Sequence, residues 1–200
     1  GRDRPAARPV RHSTLYARLR DQGAVYEQMF GWERPLWFAP PGMPQTHLES
    51  FRRGPVQDVV AREAALVREC VSILDLSGFG KIDVDGPDAA TFLDRLTTNR
   101  LPARAGGIAL TYQLNDTGTI EAELTCTRLA ADRYFLLFAA LDEIRVCDWL
   151  LHHRAPGERL AIENRSDAIG CLLLAGPRAR DVLRRLAHFA LSNERFPALT

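Results

Sequence analysis

Between residues 56 and 74, Val59, Val60, Glu63, Val67, Cys70 and Leu74 recur mostly three or four positions apart with charges between them, which predicts an amphipathic helix. At Lys81-Ile82-Asp83-Val84 the period drops to two, the signature of a half-buried strand. Gly86-Pro87 then turns the chain into a helix over 88–96, where proline suits the first turn and Asp88 favours the positive helix end. Three further strands are expected over 108–114, 120–129 and 133–138, the first two joined by the hairpin signal Asn115-Asp116-Thr117-Gly118. A helix over about 142–153 follows, with Ile144, Val146 or Cys147, Leu150 and Leu151 on its apolar side.

The chain then repeats itself. The apolar run Ile169-Gly170-Cys171-Leu172-Leu173-Leu174 predicts a continuous apolar strand, Gly176-Pro177 a turn, and residues 178–186 a helix. Gly86-Pro87-Asp88-Ala89 lies 90 residues before Gly176-Pro177-Arg178-Ala179, and Leu93/Leu96 stand in the same relation to Leu183/Leu186. Two copies of one strand–turn–helix unit imply an α+β fold of two similar layers about a pseudo-twofold axis, with mainly antiparallel sheets.

Residues 1–50 read differently: rich in proline and arginine, irregular apart from one amphipathic stretch over 15–26. Trp32, Trp37 and Phe38 stand beside prolines there, either as an extended segment docking through its rings or as a satellite cluster over the same domain's core. The expected division is residues 1–50 as a lead-in segment and residues 51–200 as the start of a larger domain. With no initiating methionine, the chain reads as an interior piece of a longer polypeptide.

Composition narrows the function classes. Hydrophobic residues make up 46% of the 200, and 26 basic against 25 acidic side chains leave a net charge of +1, which gives no footing for nucleic acid or an anionic membrane. No apolar run approaches the ~20 residues that span a bilayer, so a soluble protein is expected. Cys70, Cys126, Cys147 and Cys171 form no C-x-x-C pair and no zinc spacing; set among apolar neighbours, they imply buried free thiols, no metal site and a reducing, cytoplasmic-type compartment. No phosphate loop, dinucleotide fingerprint, nucleophile elbow or metalloprotease motif occurs. His12, His47, His152, His153 and His188 show no catalytic spacing.

The chemistry concentrates in residues 113–129. Strand alternation sets Ile120, Ala122, Leu124 and Cys126 on one face and Glu121, Glu123, Thr125 and Thr127 on the other. Glutamates are uncommon in strands. Two on one face are either a solvated sheet surface or carboxylates lining a cleft that holds an amine or a cation.

Gly107, Thr111, Leu114-Asn115, Gly118 and Glu123-Leu124-Thr125 resemble the folate-site region of the glycine-cleavage T-protein fold. Leu74-Asp75-Leu76-Ser77, both Gly-Pro-x-Ala units and Ser192-Asn193-Glu194-x-Phe196-Pro197 are similar too. Gly31-Trp32-Glu33-Arg34-Pro35-x-Trp37-Phe38 resembles the segment preceding this fold in FAD-dependent dimethylglycine and sarcosine dehydrogenases.

The resemblance implies a T-protein-like folate-binding fold with two pseudo-symmetric ferredoxin-like α/β layers, present here in part, in a bacterial cytoplasmic enzyme. An upstream FAD domain of the same polypeptide would oxidise an N-methyl amine to an iminium. The T-protein-like part would use tetrahydrofolate to capture the one-carbon unit as 5,10-methylenetetrahydrofolate. A non-catalytic scaffold module and a stand-alone folate-dependent transferase are the alternatives. Carried over by motif, the family's key aspartate falls on Glu123, and Leu110, Asn115, Glu121 and Thr125 fall on the folate side. Glutamate extends the carboxylate by about 1 Å, and Thr119 and Leu110 replace a glycine and a tyrosine common in the family.

Overall fold

The computed structural model describes residues 5–46 and 51–199; Arg2, Arg4 and His47 lie outside them. In chain order the first elements are α1 (Tyr16–Asp21), β1 (Ala24–Met29), β2 (Trp32–Phe38), α2 (Pro55–Glu69), β3 (Ser72–Asp75), β4 (Gly80–Asp85) and α3 (Ala89–Leu96). They are followed by β5 (Ile108–Leu114), β6 (Ile120–Ala130), β7 (Arg133–Phe138), α4 (Glu143–His152), β8 (Ala161–Asn164), β9 (Leu172–Ala175) and α5 (Ala179–Leu183). Two compact units result: Gly1–Gly78 with Gly170–Leu191, and Phe79–Ile169 with Ser192–Thr200.

The second unit carries an antiparallel sheet in the order β5-β6-β7-β4-β8. Without its edge strand β5, this is the split βαβ arrangement of a ferredoxin-like layer, with α3 joining β4 to the β6–β7 hairpin and α4 joining β7 to β8. One sheet face carries Ile82, Val84, Leu124, Cys126, Tyr134, Leu136 and Phe138, all buried, and they form one cluster with Phe92 and Leu93 of α3 and Val146 and Leu150 of α4. Ala89, Phe92 and Leu93 follow the i, i+3, i+4 stripe of a helix that buries one side. Each such large side chain stabilises the fold by roughly 1.5–3 kcal/mol through burial.

In the first unit, residues 24–38 form a β-hairpin, β1 against β2, where an irregular segment was expected. Phe30 (φ 52°) and Gly31 (φ 84°) supply the two left-handed residues of a tight hairpin turn. Pro35 sits at the register shift, where its missing N–H interrupts no regular ladder. Trp37 packs with Val25, Ala39, Leu36, Met43, Val56 and Val59, so the satellite-cluster alternative holds for this ring. The Arg8 guanidinium donates to both oxygens of the buried Glu33 carboxylate, Nε to Oε1 at 2.8 Å. The helix predicted over 56–74 stops at Glu69, and its last residues instead form β3, which pairs antiparallel with β9.

Both Gly-Pro turns have one geometry. Gly86 (φ 140°) passes the Arg159 carbonyl, and Gly176 (φ 118°) passes the Cys70 carbonyl; in each, a Cβ would stand 2.4 Å from that oxygen. In each, the N–H of the alanine opening the helix donates to the glycine carbonyl at 3.0 Å. The repeat therefore encodes a backbone approach that only glycine permits, to the residues leading into a neighbouring strand, β8 in one copy and β3 in the other.

Candidate site on the open sheet face

Register places the predicted residues in rows. Glu123 stands opposite Tyr112 across β5 and β6. Leu110, Thr125, Leu137 and Lys81 form the next row across β5, β6, β7 and β4. These rows alternate with Thr111–Leu124–Phe138–Gly80, whose Leu124 and Phe138 belong to the core shared with α3 and α4. Glu123, Tyr112, Leu110 and Thr125 therefore share the face turned away from both helices.

On that face Glu123 is exposed, Leu110 is 45% exposed, and Tyr112, Thr125 and Leu137 are half-buried. The Thr125 hydroxyl points to the Leu137 carbonyl at 3.4 Å. Tyr112 has its pKa raised, first by a hydrogen bond to the Glu123 carboxylate and then by that group's charge. Lys81 is fully buried in the same row as Leu110, and its Nζ donates to the Phe79 carbonyl at 2.7 Å.

Glu121 departs from the strict alternation. The ladder runs Gln113↔Ala122 and then Leu114↔Ile120, so Glu121 is the extra residue of a β-bulge. Its Oε1 accepts from Asn115 Nδ2 at 2.9 Å and its Oε2 from Arg145 of α4 at 3.1 Å. Arg145 also donates to Asp142 at 2.5 Å. Asn115 Oδ1 accepts from the Thr117 N–H (3.1 Å), the Thr117 hydroxyl (2.7 Å) and the Thr119 N–H (2.9 Å). Asn115 and Glu121 thus tie the hairpin loop to α4, while Glu123, Leu110 and Thr125 come together on the open face.

Tyr112 and Lys81 escaped the sequence reading. Their signal is register: Tyr112 becomes Glu123's neighbour only once β5 and β6 are aligned, and Lys81 joins the Leu110 row only through β7. Among the cysteines, Cys126 is buried in the core, and burial pushes its thiol up to about 12, which leaves it an inert apolar filler.

The chain matches the family described as the GCVT N-terminal domain over residues 15–200. It is 34% identical over 199 residues to human mitochondrial dimethylglycine dehydrogenase, covering 98% of this chain and 23% of that protein. With 4-methylaminobutanoate oxidase (formaldehyde-forming) of Paenarthrobacter nicotinovorans it shares 32% identity over 187 residues, covering 94% of this chain and 23% of the relative. The crystal structure of glycine cleavage system aminomethyltransferase T from Bartonella henselae matches with a TM-score of 0.69 and 25% identity, over 88% of this chain and 44% of that one. The chain thus spans about a quarter of the length of the two oxidoreductases it matches. No helix of the described residues is long and apolar enough to cross a membrane. By sequence and by fold, an antiparallel α+β layer with its open face carrying Glu123, the chain belongs to the GCVT N-terminal domain family.

Proposed function

We propose that this chain is the folate side of a flavin-dependent N-methyl amine dehydrogenase or oxidase, acting on a dimethylglycine- or sarcosine-like amine. In this reading a separate domain of the same polypeptide holds FAD and oxidises the amine, and residues 1–50 lead from that domain into the folate module. Tetrahydrofolate, when bound, supplies the amine nitrogens that accept the one-carbon unit, giving 5,10-methylenetetrahydrofolate.

The carrying observation is Glu123, an exposed carboxylate on the open face beside Leu110 and Thr125, while Glu121 is engaged by Arg145. This set fits a folate. A carboxylate accepts hydrogen bonds from ring and amine N–H groups, and Leu110 and Leu137 offer an apolar flank for a flat ring. Glu123 would raise amine nucleophilicity by accepting a hydrogen bond and would balance the charge of a cationic iminium. Thr125 would shape the edge of the site. Asn115 and Glu121 would act one step back, by fixing the loop from which β6 starts.

A second reading is favoured by the formaldehyde-forming relative. There the one-carbon unit leaves as formaldehyde, and the module serves as a scaffold. Glu123→Gln in the full-length protein separates the two. Under the folate reading, 5,10-methylenetetrahydrofolate formation falls on the order of 100-fold and free formaldehyde rises, while the rate of flavin reduction by the amine is unchanged. Unaltered product partition would remove Glu123 from the reaction and leave the scaffold reading.

A further inference from the structure

Glutamate on an exposed strand face is a loose tool. It has one more rotatable bond than aspartate, and its carboxylate sweeps a wide arc unless something holds it. The structure supplies a holder. Tyr112 lies directly opposite Glu123 on the same face of the β5–β6 ladder, at the separation where cross-strand side chains meet.

Tyr112 is itself anchored on the outer edge of β5. The Thr98 N–H donates to the Tyr112 carbonyl at 3.1 Å, and the Tyr112 N–H donates to the Thr98 hydroxyl at 3.4 Å. Asn99 extends the clamp, with its N–H to the Thr111 hydroxyl at 3.0 Å and Nδ2 to the Leu110 carbonyl at 2.6 Å. The residues after α3 thus hold the strand that carries the phenol.

We infer that Tyr112 is a positioning residue for Glu123: its phenol donates to one carboxylate oxygen, restrains the longer side chain and leaves the other oxygen for the substrate. This rests on the reading of Glu123 as the folate-facing carboxylate. An O–H donor to a carboxylate makes a short, charge-assisted hydrogen bond that fixes the direction of the group.

The raised Tyr112 pKa keeps the phenol a donor wherever Glu123 is ionised. Around the pair, Glu121 is turned to Arg145, the Lys81 Nζ of β4 donates to the Phe79 carbonyl, and β7 presents the uncharged Leu137 on this face.

The test compares the full-length protein with its Tyr112→Phe and Glu123→Gln variants. Flavin reduction by the amine reports an intact fold. Two further readouts are kcat against the tetrahydrofolate KM for 5,10-methylenetetrahydrofolate formation, and tetrahydrofolate affinity by quenching of protein fluorescence. In Tyr112→Phe, kcat for that product should fall about tenfold, affinity should weaken severalfold, and flavin reduction should hold. If Glu123→Gln loses the product while Tyr112→Phe moves neither kcat nor affinity, the positioning role is overturned and the Glu123 reading stands. If Glu123→Gln itself leaves the product unchanged, the Glu123 reading fails and the role of Tyr112 falls with it.

Discussion

A methyl group on Gly86 would stand 2.4 Å from the Arg159 carbonyl oxygen and 2.7 Å from the Leu160 Cα, on a backbone with φ near 140°. Both obstacles are main chain, so neither can swing aside. Gly118 in the hairpin loop has φ near 80° but nothing within 4 Å of a built Cβ. Gly86→Ala should therefore cost about 3 kcal/mol or more, against about 1 kcal/mol for Gly118→Ala. Urea midpoints of the two variants check this, and equal midpoints would show that the Arg159–Leu160 segment before β8 can shift to admit the methyl. A second residue-scale expectation concerns Tyr26, whose hydroxyl donates to the Tyr16 carbonyl at 3.0 Å. Burial, and then the charge of Asp75, push its pKa from 10.0 up to about 12. The folded state then holds this proton more tightly than the unfolded one. The contribution is full below about pH 10 and is lost as pH climbs through about 12. Tyr26→Phe should flatten that alkaline decline in urea midpoints; a decline as steep as the parent's would assign it to other groups.

Among elements, the loop of the β5–β6 hairpin is the most closely specified. Asn115 organises it through three accepted hydrogen bonds and one donated to Glu121, which Arg145 then ties to α4. Asn115→Ala should cost about 1–3 kcal/mol and speed amide exchange at Thr117 and Thr119, with β7 amides unaffected; unchanged exchange would mean that Gly118 alone sets the loop. Much of this unit was legible in the sequence. Lys81-Ile82-Asp83-Val84, the Asn115–Gly118 turn and the apolar spacing around Val146 and Leu150 are local signals that packing reinforces. The site was legible only halfway. Alternation put Glu121 with Glu123, but the bulge depends on how β6 registers against β5, a non-local fact. Likewise β8 has only Ile162 as a large apolar residue, and β3 continues the helical spacing of α2, so neither announces itself. In β1 and β2, Pro35 and the charged Glu33 and Arg34 masked a hairpin that Phe30-Gly31 closes.

At the scale of the molecule, the two units differ in how much apolar surface they bury. The unit built on β4–β8 encloses a cluster running from Ile82 through Phe92, Leu124, Leu136 and Phe138 to Leu150. The other has a small cluster around Val25, Trp37 and Ala39, and its β3–β9 ladder leaves Ile73, Leu74, Leu172 and Leu173 between 46% and 62% exposed. A two-stranded ladder with both faces open to solvent has little burial to oppose its opening. Stability should accordingly be uneven along the chain. Native-state hydrogen exchange on the 200 residues should find the slowest amides in β4, β6 and β7. Those of β3 and β9 should exchange by local opening, with a much weaker dependence on denaturant. Equal protection in β9 and β6, with equal denaturant dependence, would instead mean that the chain opens only as a whole.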